Sequence, residues 1–407
     1  MTLLISMRRL PRGLLLPALG SAVLLACQEH LVAPADCPNL CPGGYQIRDT
    51  VIDPTENQDS SFEGYVAAGE GGSLRVSYNF APSEDRAVLR FPARPDSYEV
   101  NTDSVLPYTL DSVALAVSVV YRDTSVKDLY VFLYRLPATL DSSVTFADAE
   151  LAFTPANIID SLKVDDTLQT QRVQTILKGS TLSRVAIAPG DSGVLAVGVQ
   201  LRAAQGTGLR LGSSGTQSPT FISYVNVFTG DTTSNHKIYN LVPAFSSFVS
   251  QTVPPLDLSV LTVGGVPSAR SLLRFPWPAH LRDSAQLLQV TLELVPTAPI
   301  PGLKGDTAFL QARPLLADLG SKSPAMSDPF FVSFQTLALG QSDTLRLEVL
   351  RAAKLWQGAR PLPSAFMLQL FPEGASFTRA TLGSSRTPGF HPRLRVTYAL
   401  SFPFEAP

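Results

Sequence analysis

The chain carries little charge of either sign. Of its 407 residues, 32 are Lys or Arg and 34 are Asp or Glu, so the formal net charge is −2. Without a basic surplus there is no electrostatic field to hold nucleic acid or an anionic lipid surface. Histidine is also scarce, and the four copies are far apart with no metal-ligand spacing: His30, His236, His280 and His391. We therefore expect no nucleic-acid partner and no histidine-ligated metal.

The sequence also lacks a recognisable catalytic set. Gly190-Asp191-Ser192-Gly193 resembles the nucleophile loop of trypsin-like proteases. A serine nucleophile needs a histidine base, but the only upstream histidine is His30, close to Cys27. Neither a Gly-x-Ser-x-Gly elbow nor a phosphate-binding loop occurs. We expect a non-catalytic protein and interpret residues 190–193 as a turn between strands.

Only three cysteines are present, and the first follows an export signal. Three arginines within residues 8–12 precede an apolar stretch, residues 14–25, that is too short to span a membrane. Ala26-Cys27 then resembles the end of bacterial lipoprotein signal peptides (residues 1–26), which implies cleavage after Ala26 and acylation of Cys27. An uncleaved anchor and a plain secretory signal are the alternatives. We expect a lipid-anchored protein of the bacterial cell envelope, held at the outer membrane.

The other two cysteines, Cys37 and Cys41, lie close together among prolines and glycines. In an exported protein such a pair is most simply a disulfide that closes a small loop. On the chain-entropy model it would stabilise the protein by at most ~2 kcal/mol. A zinc site would need more ligands, and His30 is the only histidine nearby. We expect this disulfide to lie in a flexible linker, residues 27–46.

Three segments occur twice in the same order. They are Arg-Ala-Val-Leu-Arg-Phe-Pro and Arg-Ser-Leu-Leu-Arg-Phe-Pro (86–92 and 270–276), Asp-Ser-Val-Ala-Leu and Asp-Ser-Ala-Gln-Leu (111–115 and 283–287), and Leu-Gly-Ser-Ser (211–214 and 382–385). The copies are 184, 172 and 171 residues apart (270 − 86, 283 − 111, 382 − 211). A nearly constant spacing with two copies predicts two tandem modules and not a solenoid.

Both copies alternate apolar residues with a period of two. The alternation runs through residues 113–119, 288–294 and 394–400, which indicates strands with one buried face. The 33 prolines interrupt long helices, so we predict only one short helix, near residues 350–355. The same proline density argues against an outer-membrane barrel.

The predicted fold class is therefore all-β. We expect two tandem antiparallel β-sandwich domains of the jelly-roll kind, residues 47–243 and residues 244–403.

At the repeated motifs the chain resembles the DNRLRE-type β-sandwich modules of secreted and surface proteins, which include carbohydrate-binding members. A Leu-Leu-Arg-Phe strand is present at residues 272–275 and, more loosely, at residues 88–91. Residues 284–287 match the strand entry that follows, and Ser-Arg at 385–386 precedes Pro-x-Leu-x-Val-x-Tyr at 392–398. The resemblance implies a sandwich fold and a carbohydrate ligand.

Four positions depart from that pattern. Gly215 stands where the first copy should have the arginine, and Thr387 replaces the glutamate that usually follows Ser-Arg. Pro92 and Pro276 replace the acidic residue commonly found after the Arg-Phe strand. The departures leave the fold inference intact and limit the transfer of ligand chemistry.

Two tryptophans, Trp277 and Trp356, are the candidate ligand-binding residues. An aromatic face can cover the apolar side of a pyranose ring with little loss of entropy. Core packing is the alternative for both. For the recurring strand arginines, Arg90 and Arg274, we predict a structural role, in which the stem lies along the core edge and the guanidinium reaches a carboxylate or carbonyl.

No cofactor is expected, although oxygen-rich loops could hold a structural calcium ion. The carboxylates that could contribute are Asp49, Asp53, Asp59, Asp165 and Asp166. Solvated loop carboxylates are the alternative interpretation.

The sequence leaves three functions open. The leading hypothesis is a lipid-anchored, non-catalytic envelope protein that binds polysaccharide through its two modules. The second is a structural or adhesion protein with protein partners, which an exposed apolar patch or a free strand edge would favour. The third is a polysaccharide-degrading enzyme, which a cleft with paired carboxylates would favour.

Overall fold

The computed structural model describes residues 47–400, apart from residues 65, 81–82, 102–103, 187–192, 229–233, 252–254, 321–325 and 358–360. The predicted signal peptide, the linker with Cys37 and Cys41, and Cys27 lie outside the described residues. Most of the protease-like segment, residues 190–192, also lies outside them.

The described chain consists mainly of strands, so the predicted all-β fold class is confirmed. The first fifteen are β1 (Ile47–Ile52), β2 (Ser60–Glu63), β3 (Ser73–Tyr78), β4 (Asp85–Phe91), β5 (Tyr98–Asn101), β6 (Ser104–Leu106), β7 (Tyr108–Arg122), β8 (Tyr130–Leu136), β9 (Ile158–Lys163), β10 (Gln171–Lys178), β11 (Leu195–Arg202), β12 (Thr207–Gly212), β13 (Thr220–Phe228), β14 (Ser234–Leu241) and β15 (Phe245–Ser250).

Ten further strands follow. They are β16 (Leu261–Gly264), β17 (Ala269–Arg274), β18 (Ala285–Leu294), β19 (Ala308–Ala317), β20 (Met326–Ser327), β21 (Ser333–Leu337), β22 (Leu345–Glu348), β23 (Ala365–Phe371), β24 (Arg379–Leu382) and β25 (Arg393–Leu400).

Helices are short. The described α-helices are α1 (Phe146–Glu150), α2 (Ala279–Asp283) and α3 (Leu350–Ala353), and short 3-10 helices cover Pro155–Asn157, Gly179–Val185, Gly215–Gln217 and Lys354–Trp356. The helix predicted near residues 350–355 is confirmed as α3 and the 3-10 turn after it. The expectation of only one helix is wrong: α1 begins at a Thr145–Asp148 capping box, a sequence signal that we did not use.

Two sheets enclose a first core. Sheet I has the order β14-β13-β7-β12-β3 with β10 also paired to β7, and sheet II has the order β15-β4-β11-β8-β9. Alternate residues of both sheets face inwards, among them Leu89, Leu115, Leu133 and Val197, and all four are fully buried. The period-2 pattern predicted from the sequence therefore builds a sandwich.

A second pair of sheets encloses a second core. Sheet III has the order β1-β25-β18-β22, and sheet IV has the order β20-β19-β23-β17-β16-β24, with β2 on β17 and β21 on β19. Leu273, Leu292, Leu310 and Val396 are among the buried side chains between them. The described residues together fall into one compact unit.

The two sandwiches share a strand order. Sheet I runs β14-β13-β7-β10 where sheet III runs β1-β25-β18-β22, and sheet II runs β15-β4-β11-β8-β9 where sheet IV contains β2-β17-β23-β19-β21. Register supports the equivalence, because Arg90 lies opposite Ala196 and Arg274 lies opposite Ala365. The repetition read from the sequence thus corresponds to equivalent strands.

One of the three sequence matches is out of register. Asp111 is skipped in the pairing of β7 with β13, and Leu288 is skipped in the pairing of β18 with β25, so these two bulge residues are equivalent. Asp283, the residue matched to Asp111 from the sequence, lies instead at the end of α2. The match of residues 111–115 to residues 283–287 was therefore wrong, because a short segment with few identical residues does not determine register.

The predicted module boundary also differs from the sheets. β1 and β2, placed in the first module, pair with β25 and β17 of the second sandwich. β15, placed in the second module, pairs with β4 of the first. The predicted ranges 47–243 and 244–403 therefore need correction, because strand pairing depends on a matching edge and not on closeness in sequence.

Side chains of both sandwiches meet at a junction. Arg210 Nη2 lies 2.9 Å from Asp306 Oδ1, and Arg75 Nη1 donates to the carbonyl of Ser376 at 3.1 Å. The Phe377 ring lies 4.5 Å below the Arg75 guanidinium. A Cβ on Gly208 would lie 2.7 Å from that ring, so a side chain there would collide with it.

Candidate functional site

Both candidate tryptophans are core residues. Trp277 is 6% exposed and Trp356 is 1% exposed. Their rings meet edge to face with centroids 5.1 Å apart, and Phe366 lies 4.9 Å from Trp356. A buried indole cannot stack on a sugar from solution, so the ligand-binding assignment is corrected to core packing. The sequence could not separate these alternatives because both tryptophans adjoin apolar strands.

The strand arginine of the second sandwich has the predicted structural role. Arg274 forms a two-pronged ion pair with Asp318, with Nε and Nη2 donating at 2.6 and 2.8 Å. It also donates to the carbonyl of Gln58. In the first sandwich hydrogen bonds from Ser143 lower the pKa of Asp141, and the charge of Arg90 adds to that lowering. Arg90 itself has a buried Nε without a hydrogen-bond partner among the described residues, so its predicted structural role stays a prediction.

The Ser385-Arg386 segment binds the chain just before β2, and we call this contact with Asp59 the clasp. Asp59 accepts hydrogen bonds from the Ser385 amide at 2.6 Å, from the Ser385 hydroxyl at 2.9 Å and from Arg386 Nη1 at 2.8 Å. An open cleft of about 470 Å³ lies beside it and includes Arg274 and Asp318. Both of its carboxylates, Asp59 and Asp318, are therefore already paired with arginines.

The carboxylates considered for calcium accept hydrogen bonds or ion pairs from protein groups. Asp49 accepts from Thr397, Asp53 pairs with Arg393, Asp165 accepts from Thr167, and Asp166 accepts from the Asp128 amide. Asp59 is held in the clasp. No group of three or more His, Cys, Asp or Glu side chains in the described part of the chain could hold a metal ion.

The outer face of sheet IV carries a polar cluster that the sequence analysis did not single out. Gln311 of β19 lies opposite Gln369 of β23 and Phe334 of β21. Because side chains alternate along a strand, Arg313 shares the face of Gln311, while Leu310 and Ala312 point into the core. We call Gln311, Arg313, Phe334, Gln369 and Phe371 the β19 face.

The polar centre of the β19 face is held by hydrogen bonds. Arg313 Nε and Nη2 donate to Gln311 Oε1 at 3.1 and 2.8 Å, and Gln369 Nε2 donates to the same oxygen at 3.0 Å. Gln311 and Gln369 are 3% and 6% exposed. Buried amides with fixed partners keep one orientation, which is what a polar recognition surface requires.

Two exposed aromatic rings flank this centre. Phe334 is 58% exposed and Phe371 is 54% exposed. They lie on the strands at either side of β19, two strand spacings apart, and their partners on β19, Gln311 and Phe309, are two residues apart. Their Cα atoms are therefore about 12 Å apart. Exposed rings on a regular sheet keep their place because the backbone beneath them is fixed.

The equivalent face of the first sandwich is closed. Tyr134 of β8 occupies the place of Arg313, since each lies opposite an equivalent residue of the neighbouring strand, Gly198 or Met367. Tyr134 is fully buried in a cluster that includes Phe146 and Ala149 of α1. Only the second sandwich therefore presents this polar centre with exposed rings.

A second surface lies at the connection between β20 and β21, residues 328–332. Asp328 Oδ1 accepts the amides of Phe330 and Phe331 at 2.7 and 3.2 Å, and Phe330 is 87% exposed. A groove of about 340 Å³ lies between this connection and α3, with Phe331, Val332 and Leu350 among its lining residues. It is mostly apolar, with Arg351 at its rim.

The comparisons with known proteins leave the identity open. No family model and no curated protein matches the chain. Among solved structures, the chain is similar to one described as the structure of infectious bursal disease virus Gx strain, with 10% identity over 88% of this chain and 77% of that chain. The TM-score of 0.15 is too low to carry an argument. Within the described residues, no helix has the length and apolarity needed to cross a membrane.

Proposed function

We propose that this protein is a lipid-anchored, non-catalytic component of the bacterial cell envelope that binds polysaccharide on the β19 face. Residues 1–27 support the envelope anchor through their resemblance to lipoprotein signals. The resemblance of the repeated motifs to DNRLRE-type modules supports the sugar ligand. The single observation that carries the proposal is the rigid Gln311–Gln369–Arg313 centre between two exposed phenylalanines.

The chemistry of the β19 face suits a sugar chain. Pyranose hydroxyls need fixed hydrogen-bonding partners, and the partly exposed Arg313 guanidinium, held in place by the buried Gln311 amide, supplies donors. The apolar face of a pyranose needs a flat hydrocarbon surface, which an exposed aromatic ring supplies. A separation of about 12 Å between the two strand positions would let both rings contact one chain of several sugars.

A protein partner is the second candidate function, and the groove beside Phe330 favours it. A side chain that is 87% exposed, next to Val332 and Leu350, forms an apolar surface of the kind found at protein contacts. Its position on a sheet edge adds to this, because edge strands are common sites of association.

Retention on polysaccharides tests the leading proposal. The full chain, solubilised in detergent, is passed over a panel of insoluble and gel-embedded polysaccharides. The double variant Phe334→Ala/Phe371→Ala should bind its ligand about tenfold more weakly, since each ring contact contributes ~0.5–1.5 kcal/mol. Thermal melting establishes that the variant remains folded.

Phe228→Ala is the matched control, because Phe228 is 49% exposed and lies on the other sandwich. Phe330→Ala should also leave retention unchanged. If no polysaccharide is retained, or if the double variant binds as well as the unchanged chain, the proposal fails. A loss caused by Phe330→Ala alone would move the site to the groove.

A further inference from the structure

The β19 face contains an arginine whose charge is not balanced by a carboxylate. Arg313 bonds to the neutral amide oxygen of Gln311, and no ion pair of Arg313 occurs within the described residues. The neighbouring Arg270 is different, because its Nε and Nη2 donate to the two oxygens of Glu373 at 2.8 and 2.7 Å. Two cations and one anion therefore meet at this edge of the face.

The surroundings of Arg313 destabilise its positive charge. Partial burial lowers the pKa of the Arg313 guanidinium, and the charge of Arg270 lowers it further, while Glu373 only partly offsets the two. Arginine keeps its proton at neutral pH even so. A partly buried guanidinium with unused N–H groups is stabilised most by an anion that accepts two parallel hydrogen bonds from it.

The arginine of the first sandwich is placed differently. Arg202 is exposed, donates to Tyr134 Oη at 3.1 Å and lies over the Phe132 ring. Tyr134 holds the equivalent place in the first and donates to Gln200 Oε1 at 3.0 Å beneath a closed surface. Gln200 corresponds to Gln369, since each follows its register residue, Ala196 or Ala365, by four positions. Both sandwiches therefore have an amide and an arginine on this face, but Arg202 bonds to a tyrosine hydroxyl whereas Arg313 bonds to a glutamine amide.

We propose that the β19 face recognises an acidic polysaccharide, with Arg313 gripping a carboxylate or sulfate group of one sugar while Phe334 and Phe371 contact neighbouring rings. This inference rests on the proposed function and adds the substrate class to it. Arg313 is a binding residue for the anionic group, and Gln311 positions it by holding its guanidinium.

Matched polymers test the proposal. Affinity electrophoresis of the full chain in detergent is run in gels that contain polygalacturonate, its fully methyl-esterified form, dextran sulfate or unmodified dextran. The acidic polymer of either pair should bind at least tenfold more tightly than its neutral partner. Arg313→Gln should remove that preference, and Phe334→Ala/Phe371→Ala should weaken all binding.

Arg351→Gln is the charge-matched control. Arg351 is exposed and lies at the rim of the groove beside Phe330, outside the β19 face. It should leave every mobility unchanged. Melting temperatures of all variants are compared so that a loss of fold is not mistaken for a loss of binding.

The outcomes separate the two proposals. Binding to acidic polymers that Arg313→Gln abolishes supports both. Equal binding to acidic and neutral polymers, or a preference that survives Arg313→Gln, overturns the acidic ligand and leaves polysaccharide binding in place. No retention by any polymer overturns the proposed function, and the acidic ligand with it.

Discussion

Asp306 shows how strongly one buried carboxyl can be constrained. Its side chain is fully buried at the junction of the two sandwiches, 2.9 Å from Arg210 Nη2. Its other oxygen accepts the Phe377 amide and the Ser376 hydroxyl, each at 3.4 Å. Burial raises the pKa of Asp306 above its ordinary value of 3.8, and Arg210, these hydrogen bonds and Arg75 only partly oppose the rise. The charged form is therefore destabilised in the folded chain.

This predicts a pH dependence of stability at one residue. A carboxyl with a higher pKa in the folded chain contributes stability that is full below 3.8 and is lost as pH rises through the folded pKa. Asp306→Asn removes that contribution. The free energy of unfolding of the unchanged chain, minus that of the variant, should be largest below pH 3.8 and should fall as pH rises above it. Urea unfolding at a series of pH values measures it.

Asp318→Asn is the control with the opposite sign. Hydrogen bonding from Arg274 is the main cause that lowers the pKa of Asp318, so its contribution is present at neutral pH and is lost as pH falls. The corresponding difference should rise with pH. Parallel slopes for the two variants would contradict the assignment for Asp306.

At the scale of elements, the second sandwich depends on strands from far away in the sequence. β1 and β2 complete its two sheets, and the clasp between Asp59 and the Ser385-Arg386 segment fixes the chain between them. Ser61 adds a buried contact, since its hydroxyl lies 2.9 Å from that of Ser271. The segment that precedes the first sandwich is thus part of the second one.

Asp59→Ala should therefore destabilise the second sandwich. The change leaves the Ser385 amide without its acceptor and removes the carboxylate partner of Arg386, which keeps the carbonyls of Asp59 and Leu258. Hydrogen bonds to a charged group contribute ~1.5–3 kcal/mol, so we expect a loss of about 2 kcal/mol. Urea unfolding measures it, and limited proteolysis locates the weakened region.

Asp53→Ala is the matched change, because the Asp53–Arg393 pair is 3.6 Å apart with both side chains more than half exposed. An exposed pair contributes little, so the loss should stay below about 0.5 kcal/mol. Equal losses for Asp53→Ala and Asp59→Ala would show that the clasp contributes nothing specific.

Local signals predicted the elements better than their partners. Alternation gave β18 and β25 their buried faces, and the Leu-Leu-Arg-Phe motif marked β17. In β7, residues 112–119 are all buried, so the single buried face predicted there is wrong. The pairing of β1 with β25 and of β2 with β17 was not predicted, because neither segment by itself specifies a distant partner strand.

The β19 face was missed for a related reason. Its residues come from three strands, β19, β21 and β23, and each residue alone looks like an ordinary outward-facing side chain. The sequence favoured Trp277 and Trp356 by residue type, but burial depends on packing that no single segment encodes. Phe334 and Phe371 were not singled out, because residue type alone did not distinguish them from the other phenylalanines of the chain.

At the scale of the whole molecule, the junction joins two cores that are each complete. Phe377 is 2% exposed and packs against Tyr121 and Leu303, with the Phe80 ring 5.3 Å away. Arg75 stacks above Phe377 and also pairs with Asp85 at 2.7 Å. Aromatic, ionic and hydrogen-bonded contacts thus hold the sandwiches together, and the β19 face keeps a fixed position relative to the first sandwich.

The pairing of β1 with β25 brings residues 47 and 400 close together, since Ile47 lies opposite Ala399. A circularly permuted chain can exploit this: a short linker joins residue 400 to residue 47, and new ends are opened between β15 and β16. Each sandwich then becomes one uninterrupted stretch, with β1 and β2 following β25 as β14 and β15 follow β13. We expect the permutant to fold, with an unchanged far-ultraviolet circular dichroism spectrum and a similar melting temperature, because closely spaced ends tolerate this rearrangement. A permutant that stays unfolded would mean that the order of synthesis, and not the final set of contacts, governs assembly.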